Sequence, residues 1–267
     1  MRAGPARAMR AEWTKFWSAR GTRWTAFLLL FVTVGMTALL ASASHTDATQ
    51  AGQGDDDVVA NSLSGVRIGL LVAITLGVLI ATSEYTTGLI RTTFAAIPAR
   101  WTVLLAKVAV VGVVTAVVGL VASLVSFLVA QPVIQRNGYV APAYPPPSLA
   151  TEPVLRAVIG SGLFLAALAL LSLGVGVILR STAAAITTLV AVTFVPLIIA
   201  EPGSPLLPAE VGLWVRRLGP MAGLAIQQTR ERPDTAIGPW AGLAVLCAYA
   251  VVVLLVAGWL LNRRDAA

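Results

Sequence analysis

The stretch VLRAVIGSGLFLAALALLSLGVGVIL, residues 154–179, decides the fold of this chain. It is longer than the roughly 20 apolar residues that a helix needs to cross a bilayer. Arg156, near its start, is its one ionisable residue. Because lipid offers the backbone no hydrogen-bond partner, a segment of this kind spans a membrane as a helix or as a strand of a closed barrel. The run lacks the alternating pattern of a barrel strand, so it predicts a transmembrane helix.

Five further runs share this apolar character, and they cover residues 24–43, 66–83, 102–130, 183–200 and 239–261. Of the whole chain, 57% is hydrophobic and only 12% charged, whereas soluble domains are about 25% charged. The first run exceeds the roughly 7–15 apolar residues of a signal-peptide core. We therefore expect an all-α, polytopic membrane protein with six transmembrane helices, forming a single domain over residues 1–267.

The charges on either side of the first run predict the orientation. The segment before it holds six basic residues and one acid, Glu12, whereas residues 44–65 hold four aspartates and no Lys or Arg. The positive-inside bias places the first segment in the cytoplasm and residues 44–65 outside. Six spans then place both termini of the chain on the cytoplasmic side of the cell membrane. The predicted external loop 201–238 contains four arginines, which oppose this orientation, although charges far from the first helix orient weakly.

Amphipathic spacing precedes the first span. Met9, Trp13, Phe16 and Trp17 are placed to share one helical face, with Arg10 and other basic residues elsewhere on the helix. Trp and Phe opposite Lys and Arg are typical of a helix that lies in the headgroup plane. We expect this helix to contact membrane lipid. Binding of nucleic acid through the basic arm would not need the tryptophans, and we expect none.

Residues 81–100, ATSEYTTGLIRTTFAAIPAR, separate the second and third spans. Leu89 and Ile97 fall on one helical face, as do Ile90 and Phe94, and Pro98 would end the helix. The predicted orientation makes this a short amphipathic helix in the cytoplasm. Its apolar side must be buried against the protein's own helix ends or against another subunit, and the residues leave both open.

The chemistry of an enzyme is sparse. His45 is the sole histidine, and the run Asp55–Asp57 has the character of a solvated loop rather than of a calcium loop. The two lysines, Lys15 and Lys107, do not follow glycine as in a phosphate-binding loop. We expect no catalytic residue, no metal site and no cofactor in this chain, and no ATPase activity of its own.

Ionisable residues close to the span ends are Arg67, Glu84, Lys107 and Arg156. Long side chains at helix ends commonly extend their charged groups to the membrane surface. We expect most of these four to act as interface anchors.

Three segments together suggest a family. SEYTTGLIRTTFAAIPAR (83–100) resembles the segment after the second span of ABC-2-type permeases, the membrane subunits of ATP-binding-cassette exporters. EWTKFWSARGTRW (12–24) is similar to the opening of that family, and RSTAAAITTLVAVTFVPLII (180–199) to its fifth helix. The order of these segments carries the resemblance more than any one of them. The composition resembles that of actinobacterial proteins.

The resemblance implies a permease that pairs with a second permease, as a homodimer or heterodimer, and with two copies of a cytoplasmic ATPase that binds ATP and Mg. It would export an amphiphilic or hydrophobic substrate, with spans two and five lining the substrate path and the subunit interface. The ATPase-coupling segment would comprise Glu84, Tyr85, Gly88, Leu89, Ile90, Arg91, Phe94, Pro98 and Arg100. Glu84 and Arg100 have an alternative role, which is to fix this segment to neighbouring helices.

Other interpretations remain. A secondary transporter would need repeated halves with interrupted helices, and residues 1–130 do not match 131–267. A non-transporting scaffold or sensor is the third class. The segment LLPAEVGLWVRRLGP (206–220) fits an interfacial helix with Leu213, Trp214 and Leu218 against the membrane, or a re-entrant segment. Gly65 and Gly69 form a G-x-x-x-G pattern that permits close helix approach.

Overall fold

The computed structural model describes residues 5–44, 57–86, 100–141, 144–201, 206–230 and 236–263, and every regular element in these ranges is helical. The α-helices are α1 (Pro5–Ser18), α2 (Arg20–Ala43), α3 (Val58–Asn61), α4 (Val66–Thr86), α5 (Arg100–Arg136), α6 (Glu152–Leu179), α7 (Thr182–Ile199), α8 (Ala209–Leu218) and α9 (Pro239–Arg263). A 3-10 helix, Pro220–Gln227, lies between α8 and α9.

Within the described ranges, six helices are long and apolar enough to cross a membrane: α2, α4, α5, α6, α7 and α9. They coincide with the six predicted runs, which confirms an all-helical chain with six candidate spans. Helix α5 is longer than predicted, with 37 residues. At 1.5 Å per residue it measures about 55 Å, well beyond the roughly 30 Å hydrocarbon core of a bilayer.

Helix α6 is the centre of the bundle. It packs against α4, α5, α9 and the 3-10 helix, and 72% of its most apolar window is buried, compared with 17% for α7. A helix enclosed by other helices is apolar on all sides, which explains why residues 154–179 lack a polar face.

Small residues allow the helices around α6 to approach it closely. A Cβ on Gly77 of α4 would overlap the carbonyl oxygen of Ala169, and Gly119 of α5 faces Gly162. Packing of this kind replaces the hydrophobic effect as the force between helices in lipid. The G-x-x-x-G pattern at the start of α4 has the same role, because a Cβ on Gly65 or Gly69 would overlap Thr33 of α2.

The outward faces of the bundle are strongly apolar. On α2, α5 and α9 the exposed side chains include Phe27, Phe31, Leu39, Val113, Val117, Val121, Val251, Val252 and Leu255. Soluble monomers rarely expose contiguous apolar patches of more than a few hundred Å². These faces are suited to contact with lipid chains.

Helix α1 covers the predicted amphipathic stretch, and its burial differs from the prediction at one residue. Met9, Trp13 and Trp17 are exposed, but Phe16 is only 4% exposed and packs among Ala26 and other apolar residues of α2, α4 and α5. At 3.6 residues per turn, Phe16 lies on the border between the exposed stripe and the side that faces the bundle. The predicted common face of the four residues is therefore wrong for Phe16, because tertiary contacts take up this border position.

The segment 206–230 combines the two interpretations that the sequence left open. Helix α8 exposes Val211, Trp214 and Leu218, as an interfacial helix would, whereas Leu213 is half-buried. The 3-10 helix that follows is buried between α6 and α9, with Ile226 fully enclosed against Gly160. The chain therefore runs along the surface and then returns into the bundle.

Asp57 does not belong to a solvated loop, contrary to expectation. It is 4% exposed, and its carboxylate accepts hydrogen bonds from the backbone N–H groups of Val59 and Ala60 at the start of α3. It also accepts from Thr229 N, Thr229 Oγ1 and Arg230 N. Asp57 therefore joins the connection before α4 to the segment after the 3-10 helix.

We predict that Gly77→Ala lowers the free energy of unfolding by about 1–3 kcal/mol, because the added methyl group meets a backbone carbonyl that cannot move aside. Gly112→Ala is the matched control, since its Cβ would lie 3.7 Å from the flexible methyl groups of Leu170. It should be neutral or stabilising by up to about 1 kcal/mol, through helix propensity. Unfolding of the purified chain in detergent measures both. Equal stability of the two variants would contradict the close contact between α4 and α6.

Candidate functional site

Four charged side chains from three helices meet at the end of the bundle where α4 stops and α5 starts. Lys107 Nζ of α5 lies 2.7 Å from Glu84 Oε1 of α4 and 2.7 Å from Glu12 Oε2 of α1. Lys15 Nζ of α1 lies 2.8 Å from Glu12 Oε1 and 2.8 Å from Glu84 Oε1. We call these four residues the ion cluster.

Burial makes the members of the ion cluster interdependent. Glu12, Glu84 and Lys107 are 4–6% exposed, and Lys15 lies nearer the solvent. An isolated charge in this position would cost several kcal/mol, but two carboxylates and two ammonium groups cancel each other. Each lysine contacts both carboxylates, so removal of one partner leaves its neighbours with excess charge.

Lys15 keeps its proton at neutral pH. Burial disfavours its charged form, but the hydrogen bonds to Glu12 and Glu84 outweigh that effect, and the pKa of Lys15 is raised. A raised pKa in the folded state means that the contribution of Lys15 to stability is complete below its ordinary value of 10.5. That contribution is lost only as the pH rises through the folded-state pKa. Lys15 is therefore charged at physiological pH.

Local sequence explains how α1 reaches this position. Glu12 and Lys15 are three residues apart and so lie on the same side of α1. Phe16 follows at once and inserts beside Leu76, Val110 and other apolar residues. Helix α1 is thus held to the bundle by an apolar contact and by an ionic contact next to it.

The ion cluster borders residues 87–99, and further contacts hold both sides of that segment. On the upstream side, the hydroxyl oxygens of Thr82 and Thr182 are 2.7 Å apart, and the Arg180 guanidinium lies 5.4 Å from the centroid of the Tyr85 ring. On the downstream side, Arg100 donates a hydrogen bond to the carbonyl oxygen of Leu261 at the end of α9. The described residues on both sides of this segment are therefore held to the bundle.

Three of the nine predicted coupling residues fall in the described part of the chain: Glu84, Tyr85 and Arg100. Glu84 and Arg100 contact neighbouring helices, which is the alternative role given above for these two. The other six lie outside the described residues: Gly88, Leu89, Ile90, Arg91, Phe94 and Pro98. Their predicted role stays a prediction.

The ion cluster is not apparent in the sequence pattern. Most of Arg67, Glu84, Lys107 and Arg156 were expected to be interface anchors, but Glu84 and Lys107 are buried in the ion cluster instead. Glu12 and Lys15 were read only as part of a basic arm. The sequence contained one signal of the ion cluster. Glu12 in the basic arm, Glu84 at the end of the second span and Lys107 near the start of the third were all predicted to lie on the same side of the membrane.

Comparison of the chain with protein-family models and with curated proteins gives no match. The function must therefore be argued from the residues themselves.

We predict that Lys107→Met lowers the free energy of unfolding by about 3–5 kcal/mol, because it leaves two buried carboxylates with one ammonium group. The double variant Lys107→Met, Glu84→Gln should be more stable than Lys107→Met alone, since it removes one charge of each sign. Denaturant unfolding of the purified variants in detergent measures the coupling energy between Lys107 and Glu84.

Glu152→Gln is the control for this double-mutant cycle. Glu152 pairs with Arg156 at 3.5 Å and its side chain is 70% exposed, so its loss should cost about 0–1 kcal/mol. If Lys107→Met costs no more than this control, the ion cluster does not stabilise the fold.

Proposed function

We propose that this chain is the membrane permease subunit of an ATP-binding-cassette exporter, and that residues 84–100 dock onto a cytoplasmic ATPase. The observation that carries the proposal is the fixation of both sides of residues 87–99 by the ion cluster and by the contact of Arg100 with Leu261. A segment that receives force from a partner must be anchored to the helices that it moves, since otherwise the segment alone would bend. The resemblance of residues 83–100 to ABC-2-type permeases supports the same role.

The anchors connect this segment to most of the bundle. Glu84 and Lys107 join α4 to α5, Glu12 and Lys15 add α1, and Arg100 adds α9. A displacement of residues 87–99 would therefore be passed to four helices together. In this proposal ATP and Mg are bound by the partner, and this chain converts the partner's movement into a rearrangement of its spans.

The proposed assembly contains a second permease and two ATPase copies. Helix α7 supports the pairing of two permeases, because it is the least buried of the six candidate spans and exposes Val192, Val195 and Ile198. With α4 it would line the substrate path and the subunit interface. The apolar character of these helices is suited to an amphiphilic or hydrophobic substrate. The proposed location is the cell membrane, with both termini in the cytoplasm.

A secondary transporter is the second candidate, and one observation favours it. Glu84 Oε2 is buried and accepts no hydrogen bond from the described residues, and buried acids in membrane proteins commonly serve in ion or proton transfer. In proteoliposomes containing the chain and its candidate ATPase, transport that needs ATP and is unaffected by a collapsed proton gradient supports the exporter. Transport driven by the gradient without ATP supports the alternative.

We predict that Phe94→Asp abolishes co-purification of an ATPase with a phosphate-binding loop, and abolishes export. Burial of a side chain of this size is worth about 1.5–3 kcal/mol, and a carboxylate reverses that gain. Val140→Asp is the matched control, because Val140 is exposed in the loop after α5, at the opposite end of the bundle. Both variants should still insert into the membrane. After extraction in detergent, both should elute from size-exclusion chromatography as folded protein. If Phe94→Asp retains the ATPase with unchanged affinity, the docking assignment is wrong.

We predict that residues 55 and 265 lie on opposite sides of the membrane. In a Cys247→Ala background, single cysteines at Asp55 and Asp265 should react with an impermeant maleimide from outside and from inside, respectively. Labelling of both positions from the same side would contradict the proposed topology.

A further inference from the structure

A cavity of about 320 Å³ lies at the end of the bundle opposite to the ion cluster. It is open on one side and is lined by the start of α4, the end of α7, helix α8 and the 3-10 helix. Arg67 in its wall and Glu84 in the ion cluster are both on α4, and the 17 residues between these positions (84 − 67) correspond to about 25 Å of helix. The cavity has the size of a small-molecule site, which is typically about 300–1,000 Å³.

Two arginines line the cavity, Arg67 of α4 and Arg216 of α8. Arg67 is exposed, whereas Arg216 is half-buried and its Nε is shielded from solvent without a hydrogen-bond partner. Among the described residues, no carboxylate lies within 4 Å of either group. A buried N–H donor without an acceptor is costly, so this site lacks an acceptor group.

The nearby acid does not supply that acceptor. Of the described residues that line the cavity, Asp57 alone is acidic. Its two carboxylate oxygens already accept the five hydrogen bonds from residues 59, 60, 229 and 230 described above. The wall therefore carries two positive charges and one negative charge, and the negative charge is already engaged by other donors.

The rest of the wall is largely apolar, with Leu197, Met221, Leu224 and Ile237 among its side chains. Thr193 adds a hydroxyl that is buried and has no hydrogen-bond partner among the described residues. Ile198, next to Leu197 on α7, and Trp214 of α8 are exposed on the outer face of the bundle. A ligand in this cavity would meet cationic donors and hydrocarbon together.

We propose that this cavity binds an amphiphile through a phosphate headgroup, with Arg216 and Arg67 as its donors and the apolar wall as the contact for its chain. A phosphomonoester offers three strong acceptor oxygens to the two arginines, whereas a carboxylate offers two. Guanidinium groups also bind phosphate oxygens in bidentate geometry. This proposal rests on the cavity and its charges. It does not depend on whether the protein works with an ATPase.

The test measures binding to the purified full chain in a neutral maltoside detergent. The probe is oleoyl lysophosphatidic acid, and native mass spectrometry counts the bound molecules and gives the affinity. Two partial probes separate the sources of binding: monoolein has the chain without the phosphate, and inorganic phosphate has the anion without the chain. We expect one tightly bound equivalent of the full probe and at least about tenfold weaker binding of each partial probe.

Substitutions then locate the site. Arg216→Gln and Arg67→Gln should each weaken binding of the full probe by about tenfold or more. Arg136→Gln should leave it unchanged, because Arg136 is exposed at the end of α5 and does not line the cavity. Met221→Trp should weaken binding by filling the cavity, with both arginines retained. Arg67 is exposed, so its variant keeps the test decisive even if Arg216→Gln fails to fold.

Three results would overturn the proposal. If Arg67→Gln and Arg136→Gln bind the full probe with equal affinity, the cavity does not hold the headgroup. Monoolein bound as tightly as the full probe would mean a purely apolar groove. Inorganic phosphate that displaces the probe at an equal concentration would mean a site for a free anion.

Discussion

The burial of charge in the ion cluster is the constraint on which this end of the bundle depends. Burial of Glu12, Glu84 or Lys107 as a lone ion would cost several kcal/mol, because the ion loses its hydration. They are stable only when α1, α4 and α5 are in contact at once. The ion cluster therefore specifies how α1, α4 and α5 meet. Apolar packing specifies such a meeting only weakly, because lipid chains are as apolar as the helix surfaces.

Packing around α6 supplies the complementary constraint along the length of the bundle. Gly77 lies against Ala169, and Gly119 lies against Gly162, so the backbones of these helices come close together. A methyl group on Gly77 or Gly119 would meet backbone atoms of α6. Helix α7 lacks this enclosure and contacts the others along one side. The bundle thus has a tightly packed centre and one loosely attached span, which fits the proposed role of α7 at an interface with a second subunit.

The two ends of the bundle differ in how their charges are balanced. In the ion cluster, two acids and two bases neutralise each other and hold helices together. In the cavity at the other end, Arg67 and Arg216 have no acidic partner among the described residues. Balanced charges stabilise a structure, whereas unbalanced ones can bind a ligand of opposite sign. This difference supports an anchoring role for the ion cluster and the binding role proposed for the cavity.

The sequence by itself determined the all-helical fold and the six candidate spans. Run length and local spacing are sufficient for these, because each helix satisfies its own backbone hydrogen bonds in lipid. Only the tertiary structure decided which charged residues are paired. Glu12 and Lys107 are far apart in the chain, and Asp57 reaches Thr229 across the fold. Whether Phe16 faces lipid or protein was also decided by the helices packed beside it, since local periodicity places it on the border of two faces.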